Sequence, residues 1–352
     1  MTADPDPDGE VIVGIDTHAE VHVAAAIDGL GRMLGTLSID TTARGYRELV
    51  RWARRHGRFA RAGVEGCGAY GAGLVRHLAA EGVEVIEVDR PNRQRRRRRG
   101  KSDPVDAEAA ARAVLSGEAT TSPKDSSGVV EAIRILHLTR RSAVKAKTQA
   151  GNQMKDVILT APEDLRTELR GLTTRQRVKR CATWRPGPVT DPRSAAGRSL
   201  FDLACRWLTL DAEIKGLDAN LRRLLEPLVP SLLAEHGVGT EVAAKLVLAY
   251  GEHPKRVATE ASFAALCGTS PVEASSGKHQ RHRLNRGGNR HANNALHTVV
   301  LHRSRRCPET RAYIERRRAE GKTDREIWRC LKRALARRFH HHLVHDLSHS
   351  LT

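Results

Sequence analysis

Residues 11–115 alternate short β-branched runs with helically spaced ones, in an order that few folds accommodate. VIVGID, residues 11–16, is a β-branched run ending in an acid. VHVAAAID and RMLGTLSI follow, separated by a glycine-containing turn at GLGR, and the three read as a strand meander. TARGYRELVRWARRHG then carries helical spacing at Tyr46, Leu49, Val50, Trp52 and Ala53, closed by Gly57. ARAGVEG reads as a fourth strand, YGAGLVRHLAAEG as a helix ended by Gly82, and VEVIEV as a fifth strand. A run of arginines leads into one more helix.

Three strands, helix, strand, helix, strand, helix is the order of an RNase H-like domain, expected here over residues 1–122. Order alone does not establish chemistry. From about Pro123 the pattern becomes helical. Leu203, Trp207, Leu210, Ile214, Leu217, Leu221 and Leu224 alternate steps of four and three, the spacing of a coiled-coil seam, and Pro227 is expected to end it. Ile133, Leu136, Ala143, Ala150, Met154 and Val157 carry a weaker version. The two stretches can pair within one chain or between chains. The expected organisation is α/β plus α: an RNase H-like domain over 1–122, a helical coiled-coil segment over 123–226 and a mainly helical domain over 227–352. In the last, Gly237-Val238-Gly239 joins two short helices, and such a turn can present amide groups to a phosphate. The histidines at 340–342 fall inside a basic amphipathic helix and are expected on a solvated face.

Charge narrows the partners. Lys and Arg number 60 against 41 Asp and Glu, a formal charge of +19 in 352 residues, which points to a polyanion and most simply to nucleic acid. Aromatic residues are only 3%, which argues against a surface built on base stacking. No uninterrupted apolar run reaches the roughly 18 residues of a membrane span. MTADPDPDGE lacks the basic-then-apolar order of a signal peptide. The six scattered cysteines form no CxxC pair, so reduced thiols in a cytoplasm are expected.

Four acids fall where an RNase H-like sheet can gather them. Asp16 ends the first strand and Glu65 the fourth, and these strands are neighbours in that fold. Asp103 and Asp106 share a helix face at i and i+3. Crowded carboxylates resist ionisation unless cations neutralise them. Magnesium, with its preference for oxygen ligands, is the natural ion, and a pair of ions about 3.5–4 Å apart can clamp a phosphodiester. Asp103-Pro104-Val105-Asp106 also reads as a helix start, with Asp103 at N-cap and Asp106 at N3, in which case both acids serve only the helix terminus.

Arg95, Arg96, Arg97, Arg98, Arg99 and Lys101 lead directly into that helix and suit a phosphate backbone; a solvated basic loop is the other reading. Ser275 and Ser276 precede Gly277 in a second basic stretch with Lys278, Arg281, Arg283, Arg286 and Arg290, cations able to neutralise a phosphate. A serine hydroxyl is a poor nucleophile unless a base or metal activates it, so Ser-Ser-Gly reads either as a phosphate-binding turn or as a nucleophile.

Taken together, VGIDTHAEVHVAA, GVEGCGAYGAGLVRHL, GKSDPVDAEAAARAVL, GVGTEVAAKLVLAYG and CGTSPVEASSGKHQRHRLNRGGNRHANNALH resemble the DEDD-type insertion-sequence transposases, the family that includes the Piv DNA invertase. The stretches occur in the family's order and span nearly the whole chain. The resemblance implies a RuvC-like domain whose tetrad, here Asp16, Glu65, Asp103 and Asp106, binds Mg2+. It implies a coiled coil and a C-terminal transposase domain whose serine attacks DNA to form a phosphoserine link. The Pro…Ser-Gly segment puts that serine at Ser276, with Ser275 adjacent. It further implies a composite site between subunits, a homo-oligomer from dimer to tetramer, and a bridge RNA that pairs with donor and target DNA in the bacterial cytoplasm, in association with the nucleoid. KHQRHRLNRGGN departs from the family's R-x-S/T-K-x-G form. Two other readings compete: a RuvC-like junction nuclease that hydrolyses DNA without a covalent intermediate, and a non-catalytic basic binding protein.

Overall fold

The structure is a computed structural model that describes residues 9–88, 102–123, 128–251, 257–274 and 282–350. Contacts divide the chain into two units, Met1–Gly128 and Val129–Thr352.

The first unit is built on a five-stranded sheet. Its elements are β1 (Glu10–Thr17), β2 (Val21–Asp28), β3 (Met33–Asp40), α1 (Ala43–Arg54), β4 (Arg58–Glu65), α2 (Ala72–Ala80), β5 (Glu84–Val88) and α3 (Asp103–Leu115). This is the order read from the sequence, and most boundaries fall within a residue or two of that reading. The strands lie in the order β3-β2-β1-β4-β5. β2 is antiparallel to both β1 and β3; β4 is parallel to β1 and β5. The central strand is buried on both faces, which is why VIVGI is a continuous apolar run. Val11, Val13 and Ile15 pack with Leu49 and Ala53 of α1 and Leu74 and Leu78 of α2. On the opposite face, Ile12 packs with Ala110, Ala111 and Val114 of α3.

The second unit is mainly helical. α4 (Val129–Thr160) and α7 (Pro192–Leu228) are its long helices, joined through α5 (Glu163–Leu169) and α6 (Thr174–Cys181). The start of α4 meets the end of α7 at Ile133 and Leu221, and the reverse ends meet at Met154 and Leu200. The helices are therefore antiparallel, and the seam pairs with α4 of its own chain. Arg140 Nε donates to Asp218 Oδ1 at 2.6 Å and Lys147 Nζ to Asp211 Oδ1 at 3.0 Å along the same interface. Of the seam, Ile214 and Leu221 are buried and the others only partly so, as a single partner helix covers part of a stripe. The helix that carries the seam ends at Leu228, one residue past Pro227.

The remainder comprises α8 (Pro230–Leu233), α9 (Thr240–Tyr250), α10 (Glu260–Leu266), the short hairpin β6 (Val272–Glu273) and β7 (His282–Arg283), α11 (Arg290–Arg306), α12 (Pro308–Ala319) and α13 (Asp324–Ser350). α13 passes through the core, burying Ile327, Leu335, Phe339, Leu343 and Leu347. This corrects the expectation for the three histidines. His340 is 8% exposed, with Nε2 2.9 Å from the Val257 carbonyl oxygen, and His342 Nε2 lies 2.8 Å from Glu235 Oε1. Only His341 remains on an exposed face. All six cysteines are free, and no helix among the described residues is long and apolar enough to cross a membrane.

Candidate metal centre and basic hairpin

The acid cluster is positioned by two glycines. Gly14 of β1 pairs with Gly63 of β4, and both face α3. A Cβ at Gly14 would lie 2.0 Å from the Ala107 carbonyl oxygen; one at Gly63 would lie 2.8 Å from that of Ala110. The helix backbone thus rests directly on the sheet at Gly14, and at Gly63 the Val114 side chain fills the space beside it, 2.7 Å from where a Cβ would lie. Side chains two apart on a strand share a face. Asp16 therefore faces the same side as Gly14, and Glu65 the same side as Gly63. Gly-x-acid on adjacent strands brings the N-terminal turn of α3 over the strand ends.

That turn carries Asp103 and Asp106. The N-cap is Ser102, whose side chain makes no capping hydrogen bond, and Asp103 is the first helical residue. The capping reading of the sequence, with Asp103 at N-cap, is therefore displaced by one residue. Asp16 is 8% exposed and Asp106 4%. Burial pushes the Asp16 carboxyl above its usual range; the nearby His18 opposes this, while the charges of Asp103 and Asp106 add to it. Like charges drawn together in a partly desolvated place are poised for a cation.

His18 is a member of the cluster that sequence reasoning missed. Its Nε2 lies 3.3 Å from Asp16 Oδ2 and 3.6 Å from Asp103 Oδ1. One ligand atom from each of Asp16, His18 and Asp103 falls within 4.8 Å of the others. The signal was present: Asp16 and His18 are two apart at a strand end. Its backbone N–H donates to Nδ1 of buried His22 at 3.3 Å, which ties the strand exit down. Glu65 stands at the end of the neighbouring strand, and its carbonyl oxygen accepts from Thr17 Oγ1 at 2.7 Å. Its carboxylate is not part of the Asp16–His18–Asp103 group.

In the second unit, the base of the β6–β7 hairpin is closed by another backbone-on-backbone contact. A Cβ at Gly288 would lie 2.5 Å from the Leu266 carbonyl oxygen, and one at Gly268 would lie 2.7 Å from that of Gly287. CGT and RGG are thus two halves of one joint. Asn289 then caps α11, its Oδ1 accepting from the backbone of His291 and Ala292. Arg283, Arg286 and Arg290 are exposed around this joint. Ser275, Ser276, Lys278 and Arg281, like Arg95, Arg96, Arg97, Arg98, Arg99 and Lys101, lie outside the described residues.

Comparison with known proteins gives two family matches, the first of which runs past Gly128 into the second unit. The DEDD transposase model for IS110 matches residues 13–161, a span that contains all four acids. A model described as the transposase IS116/IS110/IS902 family matches residues 231–315, which include the hairpin. A protein of insertion element IS110 from Streptomyces coelicolor is 34% identical over 125 residues, covering 34% of this chain and 30% of the relative.

Proposed function

Because the chain belongs to the IS116/IS110/IS902 family of transposases, we propose that it cleaves and rejoins DNA strands with an RNase H-like metal site and a serine nucleophile. The observation that carries this reading is the convergence of Asp16, His18 and Asp103, with Asp106 close enough to influence Asp16. Two carboxylates and an imidazole within reach of one point, one carboxyl destabilised by burial and then by its like-charged neighbours, suit a divalent ion. The predominance of oxygen donors favours Mg2+. Asp16, Asp103, Asp106 and Glu65 are the proposed ligands. When bound, the ion supplies charge neutralisation at a phosphodiester.

The chain's own residues do the rest. Ser276, or Ser275 beside it, provides the hydroxyl: its oxygen bonds to phosphorus, the hydroxyl proton passes to a base, and the P–O ester bond to the departing strand end breaks. The arginines at 95–99, Lys101, Lys278, Arg281, Arg283, Arg286 and Arg290 hold the phosphate backbone. Donor and target DNA are the substrates. A bridge RNA that pairs with both is the proposed source of sequence choice, consistent with the large positive charge and the lack of a recognised base-reading motif. Exposed Ile135 and Leu138 on α4 and Leu208 on α7 favour a homo-oligomer in which the coiled-coil seam gains a second partner. The proposed setting is the bacterial cytoplasm at the nucleoid.

The test is a denaturing gel of protein, donor-junction DNA, element-end RNA and magnesium, read for DNA covalently attached to protein. Wild type should form the adduct, while Asp16→Ala and Ser276→Ala should not. An adduct surviving Ser276→Ala moves the nucleophile, and cleavage without any adduct replaces the serine step by hydrolysis.

A further inference from the structure

Lys332 of α13 is 9% exposed, an expensive place for an ammonium group. Its Nζ donates to Asn293 Oδ1 at 3.1 Å, and no carboxylate among the described residues lies within ion-pair distance. Asn293 is held in turn, its Nδ2 donating to the carbonyl oxygens of Cys267 at 2.7 Å and Gly268 at 3.3 Å. The amide oxygen is thereby presented to the lysine. Burial and the charge of Arg329 hold the Lys332 amine below its usual range.

The lysine lines a cavity of about 530 Å³ bounded by Gly268–Pro271, the strand β7 and the helices α12 and α13. Arg283, Lys322, Arg329, Arg333 and Arg337 also line it, and Glu326 is the one acid among the described lining residues. Arg333 and Arg337 share Glu260, and Arg329 lies 3.9 Å from Glu326. Arg283 and Lys332 have no carboxylate partner among the described residues, and Lys322 acts on Glu326 through its charge without forming an ion pair. Three cations outside any ion pair, one of them buried and braced by a fixed amide, converge on one space. Its volume lies within the roughly 300–1,000 Å³ typical of small-ligand sites, enough for a phosphate with its flanking sugars.

We propose that this cavity seats a backbone phosphate of the DNA strand handled by the second unit, with Lys332 as its buried contact and Arg283 and Lys322 at its sides. Asn293 is the positioning residue that aims the amine. An arriving phosphate offsets the cost of the buried ammonium, which explains a lysine here better than core packing does. The inference deepens the nucleic-acid reading above and rests on it.

The experiment uses the full chain and a fluorescein-labelled DNA oligonucleotide, with an RNA of the same sequence as a second arm. Anisotropy is followed across salt concentrations for wild type, Lys332→Met and Lys322→Ala. Lys332→Met should weaken DNA binding about tenfold and reduce the salt slope by about one. Its melting temperature should stay level or rise, because methionine keeps the packing and removes the buried charge. Lys322→Ala, an exposed change, should lower the slope in the same way without touching the core. Equal losses on DNA and RNA support the phosphate seat, whereas a loss confined to RNA overturns the assignment to DNA. Unchanged affinity and slope in both variants overturn the inference and leave the transposase reading standing, as does a fall in melting temperature with binding intact. Failure of the wild type to bind either nucleic acid overturns both.

Discussion

A methyl group at Gly14 would collide with the backbone of α3 at Ala107, not with a side chain that could turn away. Gly14→Ala should therefore cost about 1–3 kcal/mol in urea unfolding and shift the first turn of α3 off the strand ends. Gly63→Ala should cost less, because its closest contact is the Val114 side chain, although the Ala110 carbonyl is also near. The same scale decides the role of His18. If its imidazole belongs to the cation site, His18→Ala should lower Mn2+ affinity about 10–100-fold in calorimetric titration. A binding isotherm unchanged by the substitution would leave His18 as a mere neighbour of Asp16. Asp16→Asn should abolish the rise in melting temperature that the ion gives the wild type, since a ligand stabilises only the fold that binds it.

At the scale of elements, the α4–α7 pair is tied to α9 through Glu241. This carboxylate pairs with Arg140 and Lys245, and His137 Nε2 lies 3.3 Å away. Burial alone would raise its pKa, but Lys245 and the adjacent His137 outweigh that and hold it down at about 2. A carboxyl lowered from 4.5 to about 2 contributes on the order of 3 kcal/mol, less where solvent screens it. The sign follows from the depressed value. The contribution is fully present above about pH 4.5 and is lost as pH falls toward 2, because the unfolded chain takes up its proton first. Urea midpoints of the wild type should drop across this window, and Glu241→Gln should flatten the drop while lowering stability at neutral pH.

The whole molecule carries +19, and its nucleic-acid affinity should be governed by counterion release. Engaging about 6–10 phosphates implies a loss of about 10³–10⁵ in affinity between 50 and 200 mM salt. Asp16→Asn should retain that binding while losing strand cleavage by at least about 100-fold. An equal loss of binding and cleavage would mean that the acid cluster shapes the fold and not the chemistry.

The succession of strands and helices was legible in the residues, because each element follows from a local period, two along a strand and 3.6 along a helix; that the strands of Asp16 and Glu65 are neighbours followed from the fold this succession matches. That Gly14 and Gly63 let α3 rest on the sheet beside these acids emerged only in the fold. The strong positive charge is a property of composition alone. Other features depend on residues far apart in the chain. His18 joins the acids only because α3 brings Asp103 back over the end of β1. His340 and Lys332 lie on a helix whose sequence is basic on several sides, and no period says which side meets the core. Packing against α10 and α11 decides it, burying one histidine against Val257 and leaving one lysine facing Asn293 and a cavity. Local chemistry specifies what each segment can be; which charges are buried and which acids meet depends on the contacts that tertiary packing makes.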